Sequence, residues 1–368
     1  MTRGSSKKPV IPMEAKIQKY LKRRYGRSTK LLGIDHLGKG MHGIAYRLRF
    51  NNSLKEQHLI IKTLFPSEFG HDHFSDRAQV LLLAHADYNE IPRHVKAIDV
   101  VGETPDRFIS LKEAHEFYLF MEEARGSSYF KDLDVILDRG ALTEVDRKRA
   151  RALAHFLAEI HAVKYTGENA KTLYRRRIRE LIGHGECIMG IIDAYEWAEF
   201  PTDREMIDYA GKCLSWWGKI RNNNRRLCRV HGDFHPGNMW FRGNELTLLD
   251  RSRGSWGEPA CDVSCLGINY IYYAIKERGS FGGPFAELFR LFFKVYLEQT
   301  SDHGIFEVMQ PFFAFRVLVL ANPRFYQHET AATRRKLLNF GHSVLETEKF
   351  DPEKITEYME GEWAFVSG

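Results

Sequence analysis

Apolar side chains recur at helical spacing near the start of the chain and over most of its C-terminal half. In residues 13–25 the apolar positions Ile17, Tyr20, Leu21 and Tyr25 recur at helical spacing beside a strongly basic face, which predicts an amphipathic helix. The same spacing predicts helices over 74–86, 144–163, 187–199, 204–220, 262–278, 283–299, 305–320, 330–347 and, briefly, beyond Lys354. The segments after residue 262 are rich in Phe and Tyr, which indicates helices buried in a core.

Strand patterns occupy the first third of the chain. Gly38, Gly40 and Gly43 form a G-x-G-x-x-G motif that runs directly into a strand over 44–50, and another strand follows over 57–64. A Rossmann site would open a helix at these glycines. The motif therefore predicts a glycine-rich hairpin whose backbone approaches phosphate oxygens. Further strands are predicted over 93–103 and 116–122.

The strand over 57–64 carries one lysine, Lys62, inside its apolar run. Taking a lysine out of water costs free energy unless an anion or a carboxylate meets it. A nucleotide phosphate is one such anion, and a position at a sheet edge that reaches solvent is the alternative. The place of Lys62 directly after the glycine hairpin favours the phosphate.

A polar turn between two apolar runs carries the most specific chemical pattern. It reads His231-Gly232-Asp233-Phe234-His235-Pro236-Gly237-Asn238, and Leu248-Leu249-Asp250 follows. In phosphoryl transfer from a nucleotide, one carboxylate accepts the proton of the attacking hydroxyl, while an amide oxygen and a second carboxylate bind Mg²⁺. The spacing Asp-x-x-x-x-Asn, then a strand ending in Asp, is the kinase catalytic pattern. An ordinary β-hairpin with a polar turn is the alternative interpretation.

With Gly257, Glu258, Pro259 and Asp262, this turn resembles the signature of the aminoglycoside phosphotransferase and choline kinase-like family. That signature reads HGD-x-H-x-x-N, then an apolar strand and Asp, then G-D/E-P-x-x-D. The resemblance implies an α+β, two-lobed protein-kinase-like fold with a small antiparallel β lobe and a larger helical lobe. It also implies a small-molecule kinase that uses Mg²⁺ and takes its phosphoryl group from ATP, with GTP as the alternative.

The resemblance also assigns roles to residues of the catalytic turn and its surroundings. Asp233 is expected to be the catalytic residue that orients or deprotonates the acceptor hydroxyl. Asn238 and Asp250 are the expected metal ligands. His231 and Asp262 are expected to support the catalytic loop structurally.

Nucleotide binding is assigned by the same resemblance to residues of the first third of the chain. The residues expected to bind nucleotide are Gly38, Gly40, Gly43, Lys62, Asp76, Glu122 and Ala124. Lys62 is expected on the phosphates, and the backbone of 122–124 on the edge of the base. Asp76 is the expected partner of Lys62, with Gln79 as the alternative.

Residues 171–229 are expected to be a helical insert, which in the resembled family helps to form the acceptor pocket. The insert carries basic clusters at 174–179 and 221–226, unlike the acidic lining that suits a cationic aminoglycoside. Arginine pairs with carboxylate or phosphate in bidentate fashion, so an anionic acceptor and a solvated basic face are both open. Arg251 and Arg253 either contact the transferred phosphate or the acceptor, or support the metal loop.

Composition narrows the class of protein further. A chain of 368 residues with 43% hydrophobic residues can bury a large core and suggests two lobes. A net charge of +6 favours anionic ligands such as nucleotides but falls short of a dedicated nucleic-acid binder. Five unevenly spaced cysteines, a start without an apolar run and short apolar stretches predict a cytoplasmic protein without a membrane span.

We therefore predict an N-terminal extension with a basic helix over 1–29, a nucleotide-binding lobe over 30–121 and a catalytic, acceptor-binding lobe over 122–368. The predicted function is Mg²⁺-dependent transfer of the γ-phosphoryl group of a nucleoside triphosphate to a hydroxyl of a small molecule. A catalytically silent kinase-like nucleotide-binding module and a protein kinase are the alternatives. The short segment between Asp250 and Pro259 argues against a protein kinase, which needs a longer activation segment. The acceptor, the choice between ATP and GTP, and the oligomeric state stay open.

Overall fold

The computed structural model describes residues 13–40, 42–52, 55–67, 70–87, 95–114, 123–195, 201–251, 253–361 and 363. The chain divides into two compact units, Met1–Met121 and Glu122–Gly368. The first is built on an antiparallel sheet and the second mainly on helices, which confirms the predicted α+β class with a small antiparallel β part and a larger helical part.

The described residues of the first unit form two helices and five strands. In chain order these are α1 (Met13–Tyr25), β1 (Lys30–Lys39), β2 (Gly43–Asn52), β3 (Lys55–Leu64), α2 (Phe74–Asp87), β4 (Val101–Glu103) and β5 (Phe108–Ser110). Strands β1, β2 and β3 pair antiparallel in that order, and β4 pairs with β5. The predicted glycine hairpin therefore exists as the β1–β2 connection, and the predicted third strand pairs with it.

Helix α1 packs on the sheet through its apolar stripe. Ile17 and Leu21 join Leu48 and Phe50 of β2 and Phe108 of β5 in one core cluster, and each is nearly fully buried. Burying one side chain of this size contributes about 1.5–3 kcal/mol. The predicted amphipathic helix is thereby confirmed, because the apolar residues that recur at helical spacing are the ones that the sheet buries.

The predicted strand over 93–103 is wrong for most of its length. Only β4 remains of it, and residues 95–100 have no regular structure. The carboxylate of Asp99 accepts hydrogen bonds from the hydroxyls of Tyr20 (2.9 Å) and Ser110 (2.8 Å). The segment is thus fixed by side-chain hydrogen bonds from α1 and β5, where a strand would need a backbone ladder. The predicted strand over 116–122 falls outside the described residues.

The described residues of the second unit contain ten α-helices and five short strands. In chain order these are β6 (Ser127–Ser128), α3 (Tyr129–Arg139), α4 (Glu144–Ala162), α5 (Ala170–Gly183), α6 (Ile188–Asp193), α7 (Asp203–Ile220), β7 (Cys228–Arg229), β8 (Met239–Arg242), β9 (Glu245–Leu248), β10 (Trp256–Gly257), α8 (Ala260–Arg278), α9 (Gly283–Thr300), α10 (Gln310–Ala321), α11 (Ala331–Leu345) and α12 (Ile355–Glu360). Strands β6, β8 and β9 form one antiparallel sheet, and β7 pairs with β10.

The core of the second unit is centred on α8, which packs against α9, α10 and α11. Residues of α8 from Ala260 to Ile275 are buried almost without interruption, as expected of a helix that is apolar on all sides. The predicted buried helices of the C-terminal half are therefore confirmed. Of the described helices, none has the length and apolar character that crossing a membrane requires.

Some predicted helix bounds differ from the observed ones. The helix predicted over 305–320 begins only at Gln310, with Pro311 in its first turn, and a 3₁₀ turn, His303–Glu307, precedes it. The helix predicted over 187–199 is observed as α6, and residues 196–200 fall outside the described residues. Helices α3 and α5 were not predicted. Helix α5 has an apolar stripe, because Tyr174, Ile178 and Leu181 are buried. Basic residues lie between these positions in the sequence, so the stripe was not recognised.

Candidate active site

The turn that carries the predicted catalytic residues follows β7 and has a constrained backbone. Gly232 has a φ of +93°, in the left-handed region that favours glycine. A Cβ at this position would lie 3.2 Å from the Cβ of Arg253, so the turn also approaches the next loop closely. The carbonyl of Gly232 accepts a hydrogen bond from the Sγ of Cys261 at 3.4 Å. These constraints fix the direction in which the next side chain, Asp233, leaves the turn.

Asp262, in the first turn of α8, binds the backbone of this turn. Its two carboxylate oxygens accept the N–H groups of His231 and Gly232, both at 2.7 Å. The Nε2 of His161 lies 3.2 Å from the same carboxylate, and the other ring nitrogen lies 2.9 Å from the hydroxyl of Tyr296. Burial raises the pKa of Asp262, but the hydrogen bonds from His161 and the backbone outweigh it, so the pKa lies below its ordinary value.

The carboxylate of Asp233 lies between two arginines. Arg316 Nη1 is 2.6 Å from Oδ1, and Arg253 Nη2 is 4.0 Å from Oδ2. Burial raises the pKa of Asp233, but the positive charges of Arg316 and Arg253 lower it by more. The pKa of Asp233 therefore lies below its ordinary value. Asp233 is therefore ionised throughout the neutral range. Its N–H donates to Nδ1 of His231 at 3.3 Å, so His231 also helps to hold the turn.

Asn238 and Asp250 are brought to the same turn by backbone hydrogen bonds. The Nδ2 of Asn238 donates to the carbonyl of Asp233 at 3.0 Å, which leaves its Oδ1 to accept or to ligate. The N–H of Leu249 donates to the carbonyl of Asn238 at 2.9 Å and extends the β8–β9 ladder to the residue before Asp250. Asp250 then has a φ of +52°, a sparsely populated conformation for a residue other than glycine.

The donor set of Asn238 and Asp250 fits a hard divalent cation. A carboxylate and an amide oxygen are ligands that Mg²⁺ accepts, with water and phosphate oxygens completing an octahedron. Asp250 is exposed, and no cationic side chain of the described residues lies within ion-pair distance of it. The described residues hold no group of three or more His, Cys, Asp and Glu side chains arranged for a metal. A site built on these two residues would therefore depend on ligands from the nucleotide.

The two arginines after Asp250 occupy different positions. Arg251 donates from Nε to the carbonyl of Val230 (2.8 Å) and from Nη2 to the carbonyl of Ser255 (3.0 Å). It therefore supports the loop, which was one of the two predicted possibilities. Arg253 instead lies beside the carboxylate of Asp233, as described above.

The three glycines of the predicted phosphate loop lie in or beside the β1–β2 hairpin. Gly38 pairs with Ala45, and the N–H of Gly40 donates to the carbonyl of Gly43 at 2.9 Å. A Cβ on Gly43 would lie 2.3 Å from the carbonyl oxygen of Thr63 on β3. None of the three glycines has a positive φ. Gly43 is thus required by close contact within the sheet, and the sequence analysis did not foresee this reason.

Lys62 and Asp76 lie on β3 and α2. Lys62 pairs with Ala45 in the sheet and its side chain is exposed, with no carboxylate of the described residues within ion-pair distance. The Oδ2 of Asp76 accepts the N–H of His73 at 2.8 Å, at the start of α2. The Lys62–Asp76 ion pair, and Gln79 as its alternative, stay predictions. Of the two residues expected at the base, Glu122 falls outside the described residues and Ala124 is half-buried.

Arg316 is the site residue that the sequence analysis did not identify. It lies in α10, is 6% exposed, and also places Nη2 3.4 Å from the carbonyl of Gly232. The sequence feature that could have identified Arg316 is its place as a charged residue inside the apolar run 311–321. A charge in a buried helix needs a partner of opposite charge. The sequence does not say which acid that partner is.

The basic cluster at 221–226 does not form a single solvated face. Arg226 pairs with the buried Glu258, at 2.8 Å, and with Asp302, also at 2.8 Å. Glu258, in the second half of the family signature, also accepts the hydroxyl of Tyr174 at 2.7 Å. Arg226 therefore joins α5 and the start of α8 through the buried Glu258, and the segment after α9 through Asp302.

Replacing Arg226 by Gln is expected to lower the free energy of unfolding by about 3–5 kcal/mol, because Glu258 is left as a buried unpaired charge. Urea denaturation followed by circular dichroism measures this change. The matched control is Arg225→Gln, since the neighbouring arginine is exposed. Equal stability of the two variants would contradict a structural role for Arg226.

Comparison with known proteins places the chain in a family. Residues 82–290 match the model of the phosphotransferase enzyme family APH. The matched span includes the catalytic turn, Asp250 and Asp262, and it begins after Lys62. No curated protein matches the chain significantly.

Solved structures similar to the chain include three kinases. The amicoumacin kinase hAmiN, in complex with AMP-PNP, Ca²⁺ and Ami, is 14% identical with a TM-score of 0.43, covering 88% of this chain and 92% of its own. The ethanolamine kinase of Plasmodium vivax is 14% identical with a TM-score of 0.35, covering 93% and 88%. A thermostable mutant of the aminoglycoside phosphotransferase APH(4)-Ia is 13% identical with a TM-score of 0.32, covering 93% and 97%.

The chain is therefore a phosphotransferase, because the family model spans more than half of its length. It belongs to the phosphotransferase enzyme family APH. The resemblance read from the catalytic turn is thereby confirmed.

Proposed function

We propose that this phosphotransferase is a small-molecule kinase that transfers the γ-phosphoryl group of ATP to a hydroxyl, with GTP as the alternative donor. The observation that carries the proposal is that Asp233 shares one hydrogen-bonded turn with Asn238 and the residue before Asp250. Family membership supports the reaction class. The two acids and the amide are the groups that phosphoryl transfer requires.

In the proposed reaction the acceptor oxygen forms a bond to the γ-phosphorus while the bond to the bridging oxygen of ADP breaks. The hydroxyl proton passes to Asp233. Oδ1 is occupied by Arg316 at 2.6 Å, so we assign the acceptance of the proton to Oδ2. Because its pKa is lowered, Asp233 is a weak base and contributes mainly by orienting the hydroxyl. That suits a loose transition state, in which positioning and charge neutralisation dominate.

We assign the metal to Oδ1 of Asn238 and the carboxylate of Asp250, on the chemistry of these donors described above. A bound Mg²⁺ would neutralise charge on the phosphates of the nucleotide. The strained φ of Asp250 supports this assignment, since such conformations cluster at functional sites.

We assign the phosphates of the nucleotide to Lys62 and the backbone of Gly40 and Gly43. Replacing Lys62 by Met is then expected to raise the KM for ATP roughly 10- to 100-fold, because a hydrogen bond to a charged group contributes about 1.5–3 kcal/mol. Steady-state kinetics with varied ATP measures the change. Lys55→Met is the matched control, because Lys55 is an exposed lysine on the same strand. An unchanged KM in the Lys62 variant would contradict the assignment.

The proposed function is tested by measuring ADP release from Mg²⁺–ATP with and without hydroxylated compounds. The panel contains sugars, amino alcohols, amino acids and aminoglycosides, and phosphorylated products are identified by mass spectrometry. Acceptor-dependent ADP release with a matching phosphate ester is the expected result. Nucleotide binding without turnover on any acceptor would instead favour the silent module considered in the sequence analysis.

A further inference from the structure

Three arginines from separate elements surround the catalytic turn. Arg316 comes from α10, Arg253 from the loop after Asp250, and Arg177 from α5. A Cβ placed on Gly232 would lie 3.2 Å from the Cβ of Arg253 and 3.6 Å from Nη2 of Arg177. The side chains are 8%, 21% and 21% exposed for Arg316, Arg253 and Arg177. Two of these largely buried guanidinium groups, those of Arg316 and Arg253, therefore lie beside the carboxylate of Asp233, and that of Arg177 lies beside the neighbouring Gly232.

Within the part of the chain that the structure describes, two carboxylates, Asp233 and Glu180, pair with these three arginines and do not balance their charge. Asp233 faces both Arg316 and Arg253, and among the described residues no other carboxylate lies within ion-pair distance of Arg253. Glu180 pairs with Arg177 at 2.9 Å but also with Arg176 at 2.6 Å. A largely buried charge without full compensation costs free energy unless an anion offsets it.

Burial and orientation also suit these arginines to bind an anion. Arg316 Nε is buried with no hydrogen-bond partner among the described residues. The guanidinium groups of Arg316 and Arg253 lie 4.7 Å and 5.3 Å from the ring centre of Phe315. Stacking on one ring restricts both groups, and the hydrogen bond that the structure gives Arg253 runs from Nη1 to the Sγ of Cys187 at 3.6 Å, which leaves its other N–H donors for a ligand. Preorganised guanidinium groups of this kind bind carboxylate and phosphate in bidentate fashion.

The arginines lie on the Asp233 side of the turn. No arginine of the described residues lies within ion-pair distance of Asp250, the proposed ligand of the donor's metal. Arg177 and Arg316 belong to α5 and α10, outside the strands that carry Asn238 and Asp250. The excess positive charge is therefore placed where an acceptor would present its hydroxyl.

We infer that the acceptor carries an anionic group, a carboxylate or a phosphate, which Arg253 and Arg177 bind beside Asp233. This inference rests on the proposed kinase function and deepens it. Arg316 positions Asp233 by occupying Oδ1, and Arg253 binds the anion with the hydroxyl directed at Oδ2. The product is a phosphate ester that also keeps the carboxylate or phosphate that the acceptor already carried. Cationic aminoglycosides would place like charges together and are poor acceptors.

The test uses matched acceptors that differ in charge. Glycerol and glucose are neutral; glycerate and gluconate carry a carboxylate; glycerol 3-phosphate and glucose 6-phosphate carry a phosphate; serinol and glucosamine carry an amine. Acceptor-dependent ADP release is measured at constant ionic strength. We expect kcat/KM to be at least tenfold higher for an anionic acceptor than for the neutral and amine acceptors of the same carbon skeleton. Comparing the carboxylate acceptors with the phosphate acceptors then shows which of the two anions the site prefers. Equal or better use of neutral or amine members would overturn the inference.

Replacing Arg253 by Gln should raise the KM for the best anionic acceptor roughly 10- to 100-fold and leave the KM for ATP unchanged. Arg253→Lys should recover part of the loss, because a lysine keeps the charge but not the bidentate geometry. Arg242→Gln is the matched control, since Arg242 is exposed at the end of β8. A raised KM for ATP with an unchanged KM for the acceptor would assign Arg253 to the donor phosphates and overturn the inference.

Equilibrium binding separates this inference from the proposed function. Glucose 6-phosphate and gluconate are titrated into the full-length wild type and into Arg253→Gln by calorimetry. If these anions bind the wild type but not the variant while no acceptor is phosphorylated, the anion site stands and the proposed function fails. If only neutral or amine acceptors are phosphorylated, the proposed function stands and the anion site fails. If neither anion binds and none is phosphorylated, the anion site is overturned.

Discussion

Replacing Asp233 by Asn is expected to reduce kcat for the acceptor by about 10²- to 10⁴-fold, the usual effect of losing a side chain that positions the reacting hydroxyl and accepts its proton. The amide cannot accept the hydroxyl proton and orients the hydroxyl less well. The KM for ATP should change little, because no nucleotide contact is assigned to this residue. Single-turnover kinetics with ATP and the best acceptor measures the loss. Wild-type turnover in this variant would contradict the catalytic role of Asp233.

The same substitution also affects stability, and this must be separated from catalysis. The side chain of Arg316 is 8% exposed and that of Asp233 is 14% exposed, so removing the acid leaves a buried cation unpaired. Breaking such a pair lowers the free energy of unfolding by about 3–5 kcal/mol. The double variant Asp233→Asn/Arg316→Met removes both charges and should recover most of that loss. Its turnover should remain as low as that of the single variant.

The double variant therefore decides between two explanations of a lost activity. Restored stability without restored turnover supports a chemical role for the Asp233 carboxylate. Restored stability together with restored turnover would show that Asp233 only holds the fold. Urea denaturation and single-turnover kinetics on the same preparations give both quantities.

The turn that carries Asp233 and Asn238 could be predicted from the sequence because its geometry is local. Gly232, Asp233 and Asn238 lie within a few residues, and the hydrogen bonds that close the turn join near neighbours. The long buried helices were also predictable, since their apolar residues leave no polar face. Asp262 was expected to support the turn, and the structure shows it accepting two backbone N–H groups.

The sequence did not predict contacts between distant elements. Arg316 meets Asp233 across 83 residues, and no periodicity relates the two positions. The stripe of α5 was hidden because basic residues surround Tyr174 and Ile178. His161 is buried, and its contact with Asp262 depends on how α4 packs near α8. Side-chain pairing of this kind is decided by tertiary packing and not by local preference.

Replacing Asp262 by Asn is expected to lower the free energy of unfolding by about 3–5 kcal/mol, as expected when a buried, fully hydrogen-bonded charge is removed. The carboxylate accepts N–H groups with both oxygens, at 2.7 Å each. An amide offers one acceptor and turns an N–H donor toward a second N–H donor. Displacement of the turn by about 1 Å would also reduce kcat by about 10²-fold. Urea denaturation and steady-state kinetics measure the two effects, with the exposed Asp138→Asn as control.

The pH dependence of this variant distinguishes the charge from simple packing. The folded-state pKa of Asp262 lies below its unfolded value of about 3.9. Its contribution to stability is therefore complete above that unfolded value and is lost as the pH falls through the folded-state pKa. The difference in unfolding free energy between wild type and Asp262→Asn should be constant near neutral pH and shrink below about pH 4. A difference that stays constant down to acid pH would show that the lost stability comes from shape, and the ionised carboxylate would not be what holds the catalytic turn.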